Sequence, residues 1–184
     1  IGTGRFSEFT VKRGGCLDEA KLRAPDGITP GDIINLAGQH VVMVDQVGKD
    51  PLGIERGIAA RNCSGISRDS FNFTLIHSGS AGDLGPARIS ARFRPNPSEV
   101  AGAMGKAIEQ KLIFLAKGLC TDALQRLEQG GDPTRVSVPS ASDSFTIFRH
   151  RADIAGCVMP EGKMPHIKGE ECLQKNSCDL NFGG

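Results

Sequence analysis

The sequence predicts an α+β fold in which a small antiparallel sheet packs against helices. Short apolar segments with the period-two alternation of half-buried strands occupy the first half of the chain. A longer segment with apolar residues at helical spacing follows them. The 184 residues suit one domain with a real core. We expect the apolar stripe of the helix to pack on the sheet.

The strands come first in this prediction. Residues 32–36 and 40–47 are two apolar runs around a turn at Gly38, and together they predict a β-hairpin. Residues 71–77 alternate strictly, which places every second residue up to His77 on one face of a further strand. Residues 88–93 can close the sheet.

The long helix is predicted to begin at Pro97 and Ser98, with Ser98 as its N-cap, and to end near Gln129 before Gly130-Gly131. Gly118 is a position where the helix can bend. The apolar positions of the helix are Val100, Met104, Ala107, Ile108, Leu112, Leu115 and Leu119.

The ends of the chain give weaker patterns. Residues 17–22 predict a short helix opened by Gly14-Gly15-Cys16, and residues 136–138 and 145–148 predict two late strands. We divide the chain into an α+β domain over 1–150 and an irregular, cysteine-rich extension over 151–184 that a disulfide staples.

Charge and hydropathy exclude several partner classes. The 22 basic and 21 acidic side chains nearly cancel and are scattered along the chain, so we expect no nucleic-acid partner. No apolar run approaches the roughly 18 to 20 residues that span a bilayer, so we expect a soluble chain. The absence of Trp and Tyr disfavours a sugar-stacking lectin.

Six cysteines predict at least one disulfide and a periplasmic or secreted location. The chain starts at Ile1 without a leader pattern, which predicts a processed chain or a fragment. Zinc is an alternative for part of the C-terminal region, but the paired Cys-x-x-Cys spacing of structural zinc sites is missing there, and disulfides are favoured. The residues of that alternative are Cys157, His166, Cys172 and Cys178.

Two segments resemble the NlpC-type family of cell-wall peptidases. The stretch Ile28-Thr29-Pro30-Gly31-Asp32-Ile33-Ile34, followed by His40-Val41-Val42-Met43-Val44-Asp45, is similar to the family's first core strand and the histidine that begins the next. Phe73-Thr74-Leu75-Ile76-His77-Ser78 resembles its later strand. The resemblance covers residues 28–93, about a third of the chain, and implies a papain-like fold.

The resemblance also implies a catalytic set. Cys16 would attack an amide carbonyl, His40 would exchange protons with the thiol and the leaving amine, and His77 would orient His40. The residues after Cys16 are Leu17-Asp18 rather than the family's Ser-Gly. Cys63, in Asn62-Cys63-Ser64-Gly65, looks more like the family's nucleophile motif but follows His40. The nucleophile is therefore Cys16, Cys63 or neither.

The preferred interpretation is a cysteine peptidase or amidase that hydrolyses a short peptide or a peptidoglycan stem peptide. This chemistry needs no metal and no organic cofactor. The alternative is a secreted, non-catalytic binding module on the same scaffold. Thiol labelling distinguishes the two, because a reactive Cys16 supports the enzyme and a disulfide-bonded Cys16 supports the module.

Overall fold

The computed structural model describes residues 9–78, 86–90, 106–141, 144–154 and 156–157, with the backbone alone at 77–78 and 86–90. Within these ranges the chain forms eight strands and two α-helices, which confirms the α+β class. In chain order the elements are β1 (Leu17–Glu19), β2 (Lys21–Arg23), β3 (Ile33–Leu36), β4 (His40–Val47), α1 (Ile54–Ala59), β5 (Phe73–Ser78), β6 (Pro86–Ser90), α2 (Lys106–Glu128), β7 (Ser137–Pro139) and β8 (Phe145–His150).

Six of the strands form one antiparallel sheet in the order β1-β8-β3-β4-β5-β6. The predicted hairpin is confirmed, since β3 and β4 pair from Leu36 opposite His40 to Ile33 opposite Met43. A register shift between Val44 and Gln46 interrupts the pairing of β4 with β5. Strand β8, from the far end of the chain, pairs with β3 and so joins the end of the described chain to the sheet's centre.

The short helix predicted over residues 17–22 is wrong. The chain there forms β1, which pairs with β8, and β2, which pairs with β7 in a separate two-stranded sheet. Ala20 connects the two sheets, since its N–H donates to the carbonyl of Ile147. Burial has period two in this segment, because Ala20 and Leu22 are buried while Lys21 lies exposed between them.

One face of the large sheet, here called the inner face, packs against α1 and α2 in a single core. Its fully or almost fully buried sheet residues are Ile34, Leu36, Val42, Val44, Phe73, Leu75, Phe145 and Ile147. The helix contributes Ile108, Leu112, Ala116, Leu119, Cys120 and Ala123. Helix α2 is therefore the predicted apolar helix, and it continues through Gly118 as one element. Its predicted start at Ser98 lies outside the described residues.

The remaining strand predictions agree with the structure within a few residues. Strand β6 shares residues 88–90 with the predicted 88–93, and residues 91–93 lie outside the described ranges. Strands β7 and β8 correspond to the two predicted late strands. Residues 158–184, which include most of the predicted extension with His166, Cys172 and Cys178, also lie outside the described part of the chain.

Candidate functional site

Cys16, the first candidate nucleophile, is bonded to Cys157 in a disulfide with a Cα–Cα distance of 5.3 Å. No helix follows it, because the next residues form β1. The backbone carbonyl of Cys16 accepts a hydrogen bond of 2.9 Å from the N–H of Arg151, which fixes the segment before β1 beside the segment after β8. The expectation that Cys16 is a helix-terminal thiol is thus corrected: it is one half of a cystine that closes the domain.

Cys16 and His40 lie at opposite ends of the sheet. Leu17 pairs with His150, beyond the Ile33 end of β3, whereas His40 pairs with Leu36 at the other end. Three strand spacings separate β1 from β4, which is about 14 Å, and the offset from Cys16 to His40 along the strands is about six residues, or about 20 Å. A proton transfer between them needs hydrogen-bond reach. The structure therefore does not bring this pair together.

Cys63, the second candidate nucleophile, is also in a disulfide. It bonds to Cys120 of α2 with a Cα–Cα distance of 5.6 Å, and both residues are buried. Gly57 in α1 makes this close packing possible, because a Cβ there would lie 2.7 Å from the sulfur of Cys120. The predicted presence of disulfides is confirmed, and among the described cysteines none is free.

The two histidines of the predicted set lie in neighbouring strands. His40 is the first residue of β4 and is half-buried. The backbone of His77 lies in β5 opposite Ala87 of β6. Met43 pairs with Ile76, and one further step in that register brings the backbone of His77 to the level of Val42. That His77 orients His40 stays a prediction.

A buried carboxylate that the sequence did not single out closes one end of the inner face. Asp32 is 0% exposed, and Arg149 donates to its two oxygens from Nε and Nη2 at 2.8 Å each. Thr29 donates to the same carboxylate from its N–H at 2.9 Å and from its hydroxyl at 3.2 Å. The hydrogen bonds to Asp32 and its charge raise the pKa of Arg149. Because every contact is internal and satisfied, this pair is structural.

The other side of the sheet, here called the outer face, is only partly exposed and comprises Ile33, Asn35, Val41, Met43, Ile76, Thr146 and the buried Phe148. Asn35 is only 4% exposed, and its Oδ1 has no hydrogen-bond partner, the one such buried side-chain atom in the part of the chain described. Met43, which pairs with Ile33 on the same face, is 39% exposed. A buried acceptor without a partner costs about 1–3 kcal/mol. The outer face therefore contains one buried acceptor, Asn35 Oδ1, whose hydrogen-bonding capacity is unused in the described part of the chain.

The described residues also lack two other kinds of feature. They contain no group of three or more His, Cys, Asp or Glu side chains arranged to hold a metal ion. No helix in the same ranges combines the length and apolar character needed to cross a bilayer. The two disulfides are typical of proteins that fold in an oxidising compartment.

No protein-family model matches this chain, and neither a curated protein nor a solved structure is significantly similar to it. The fold and the two disulfides define the class of protein, which is an α+β protein cross-linked by cystines. The resemblance to the NlpC-type peptidases rests on the short motifs around His40 and His77.

Proposed function

We propose that this chain is a disulfide-bonded, extracytoplasmic binding module that does not hydrolyse peptides. The observation that carries the proposal is the pairing of both candidate nucleophiles, Cys16 with Cys157 and Cys63 with Cys120. A cysteine attacks an amide as the thiolate, and a sulfur held in a disulfide carries neither the charge nor the proton that His40 would take.

The outer face is the proposed binding surface. Asn35 supplies the acceptor. Its Oδ1 is buried, so a ligand reaches it by displacing the groups that cover it, and the hydrogen bond then forms largely shielded from water, where it is electrostatically stronger. Met43 of β4 and Ile76 of β5, which pair with each other, supply apolar surface. Apolar walls around a few placed polar atoms are the usual composition of a ligand site.

A short peptide is the ligand class that fits this surface best. Its backbone offers N–H donors at regular spacing between side chains, so one donor can reach the oxygen of Asn35 while apolar side chains lie on Met43. A peptidoglycan stem peptide is the particular peptide that the resemblance around His40 suggests. The proposed ligand is therefore a peptide, and the sugar strands of the cell wall are not part of it.

Thiol labelling of the native, unreduced protein tests the non-catalytic part of the proposal. We expect no labelling at Cys16 or Cys63 before reduction, and the same result in His40→Ala. After unfolding without reductant, both residues should remain unlabelled, which separates a cystine from a thiol that is merely buried. A Cys16 that reacts in the native wild type and loses its reactivity in His40→Ala would instead support the cysteine-peptidase prediction.

Calorimetric titration with a synthetic peptidoglycan stem tetrapeptide tests the binding part. Asn35→Leu removes the acceptor at similar volume, and we expect it to weaken binding by about tenfold, the equivalent of one hydrogen bond. Met43→Asp should weaken binding at least as much. Phe114→Ser is the matched control, because Phe114 is 74% exposed on α2, which packs on the inner face. Equal affinity in wild type and Asn35→Leu, or no binding by the wild type, would refute this surface.

A further inference from the structure

Two asparagines lie in the acceptor motif of N-linked glycans, which is Asn-x-Ser/Thr with any residue except Pro at x. They are Asn62 in Asn62-Cys63-Ser64 and Asn72 in Asn72-Phe73-Thr74. This motif marks a site of modification in proteins that pass through a compartment where the sugar is transferred. The two motifs are alike in sequence, and the structure places them in opposite environments.

Asn62 presents its amide nitrogen to solvent. It lies exposed at the end of α1, and its Oδ1 accepts hydrogen bonds from the hydroxyl of Ser64 at 2.8 Å and from the N–H of Gly65 at 3.1 Å. These contacts hold the side chain by its oxygen and leave Nδ2 to water. A Cβ at Gly65 would lie 3.1 Å from this nitrogen, so the glycine keeps its surroundings open.

The middle residue of the first motif points the other way. Cys63 is buried and bonded to Cys120 in α2. The disulfide therefore anchors the turn from inside while Asn62 and Ser64 remain exposed on its surface. A sugar on Asn62 leaves every described contact of this turn in place.

Asn72 is enclosed. Its Nδ2 donates to the carbonyl of Lys49 at 2.9 Å, and a Cβ on Gly48 would overlap its carboxamide. Its backbone N–H donates to the carbonyl of Pro51 at 2.8 Å, and the hydroxyl of Thr74 donates to Asp45 at 2.9 Å. A sugar replaces one of the two hydrogens on this nitrogen, and because the carboxamide packs closely on Gly48 and bonds to Lys49, the sugar would crowd the 48–49 backbone beside the start of β5.

We propose that Asn62 carries an N-linked glycan and that Asn72 remains unmodified in the folded protein. In the transfer, a bond forms from Nδ2 of Asn62 to the anomeric carbon of a lipid-linked oligosaccharide diphosphate. The bond from that carbon to the diphosphate oxygen breaks, the lipid diphosphate leaves, and Nδ2 gives up one proton to a base of the transferase. This inference rests on the extracytoplasmic part of the proposed function.

The position of Asn62 also agrees with the proposed binding surface. Asn62 follows α1, which packs with α2 against the inner face of the sheet. A glycan there covers the helical side of the molecule and leaves the outer face around Asn35 accessible to a ligand. Large polar sugars at this turn add to the solubility of the helical side.

The test is secretion of the full chain from eukaryotic cells, followed by peptide mass spectrometry before and after digestion with a peptide N-glycosidase. We expect a single glycan, at Asn62, in wild type, Asn72→Gln and Ser64→Thr. It should be absent in Asn62→Gln and Ser64→Ala. Ser64→Thr and Ser64→Ala are the matched pair, because both retain Asn62 and only the first retains the motif.

Mapping of the Cys63–Cys120 disulfide in each secreted variant verifies the fold and keeps the result interpretable. A glycan on Asn72 in protein with that disulfide intact would overturn the inference, and so would an unmodified Asn62 in the wild type. Thiol labelling and peptide titration use protein from a host without this modification. Failure of the glycan result and failure of the binding-module proposal are therefore separate outcomes.

Discussion

The inner and outer faces of the sheet are made of alternate residues from the same strands, yet folding buries much more of the inner face. On the inner face Ile34, Val42 and Leu75 are buried against α2. On the outer face Ile33 and Val41, their neighbours in sequence, are only half-buried. Folding thus buries the apolar surface of the inner face, whereas part of the apolar surface of the outer face stays exposed and can be covered by a partner.

The polar residue on each face sharpens the contrast. Asp32 shares the inner-face alternation with Ile34, and Arg149 and Thr29 satisfy its carboxylate completely. Asn35 belongs to the outer face, and its oxygen has no partner. A satisfied buried group stabilises one fold, whereas an unsatisfied one costs stability. In the proposed function the peptide supplies the missing donor.

The largest effect is expected for Asp32→Ala. Removing the buried carboxylate loses its four hydrogen bonds from Arg149 and Thr29 together, which we expect to lower the free energy of unfolding by about 3–5 kcal/mol, although the Arg149 side chain is 34% exposed and water can hydrate it in part. Urea denaturation measures the change. Asp153→Ala is the control, because Asp153 also pairs with an arginine but is exposed, and its loss should change stability only slightly. Similar losses of unfolding free energy in the two variants would mean that the buried pair of Asp32 and Arg149 stabilises the fold no more than an exposed ion pair does.

Ile34→Ala is expected to come next. It empties a fully buried position of the core and should lower the free energy of unfolding by about 2–5 kcal/mol. Ile33→Ala, one residue earlier and on the outer face, should cost clearly less because its side chain is already half in water. Equal losses, measured by the same denaturation, would contradict the assignment of the two faces.

Asn35→Leu should have a much smaller effect on stability. The variant removes an acceptor that makes no hydrogen bond, so we expect a free energy of unfolding within about 1 kcal/mol of the wild type, or above it. The same variant is expected to lose peptide affinity. A large loss of stability in thermal and urea unfolding would show that the Asn35 side chain supports the fold itself.

The smallest effect concerns an exposed pair outside both faces. Hydrogen bonds from Arg151 lower the pKa of Asp153 from 3.8 to about 2. A lowered folded-state pKa stabilises the protein above pH 3.8, and this stabilisation fades as the pH falls from there through 2. Asp153→Asn should therefore reduce the melting temperature slightly at pH 6 and hardly at pH 2. A difference that grows on acidification would have the wrong sign.

Sequence patterns predicted the elements that depend on near neighbours. The hairpin of β3 and β4 needs only two apolar runs and the turn at Gly38, where φ is +76° and a glycine is favoured. Helix α2 follows from its own apolar spacing. Each of these patterns spans at most about 25 residues, so the two elements depend little on contacts with distant parts of the chain.

The prediction failed where distant pairing decides the structure. Residues 17–22 formed β1 and β2 because β8 and β7 offered them backbone partners more than 110 residues away. A signal was present, since Ala20, Leu22 and Ala24 alternate with charged residues. The candidate site failed for the same reason: six cysteines allow 15 connectivities, and the partners of Cys16 and Cys63 depend on the fold.

The sequence by itself determined which stretches are apolar at period two or period 3.6, and hence the class of the fold, its central hairpin and its long helix. Only the tertiary structure decided that Cys16 is half of a cystine and that Asn35 is a buried acceptor. It also decided that the amide nitrogen of Asn72 is hydrogen-bonded, whereas Asn62 is held by its oxygen. The physical reason is that periodicity is a property of neighbouring residues. Oxidation, burial and hydrogen bonding depend on which remote parts of the chain the fold brings into contact.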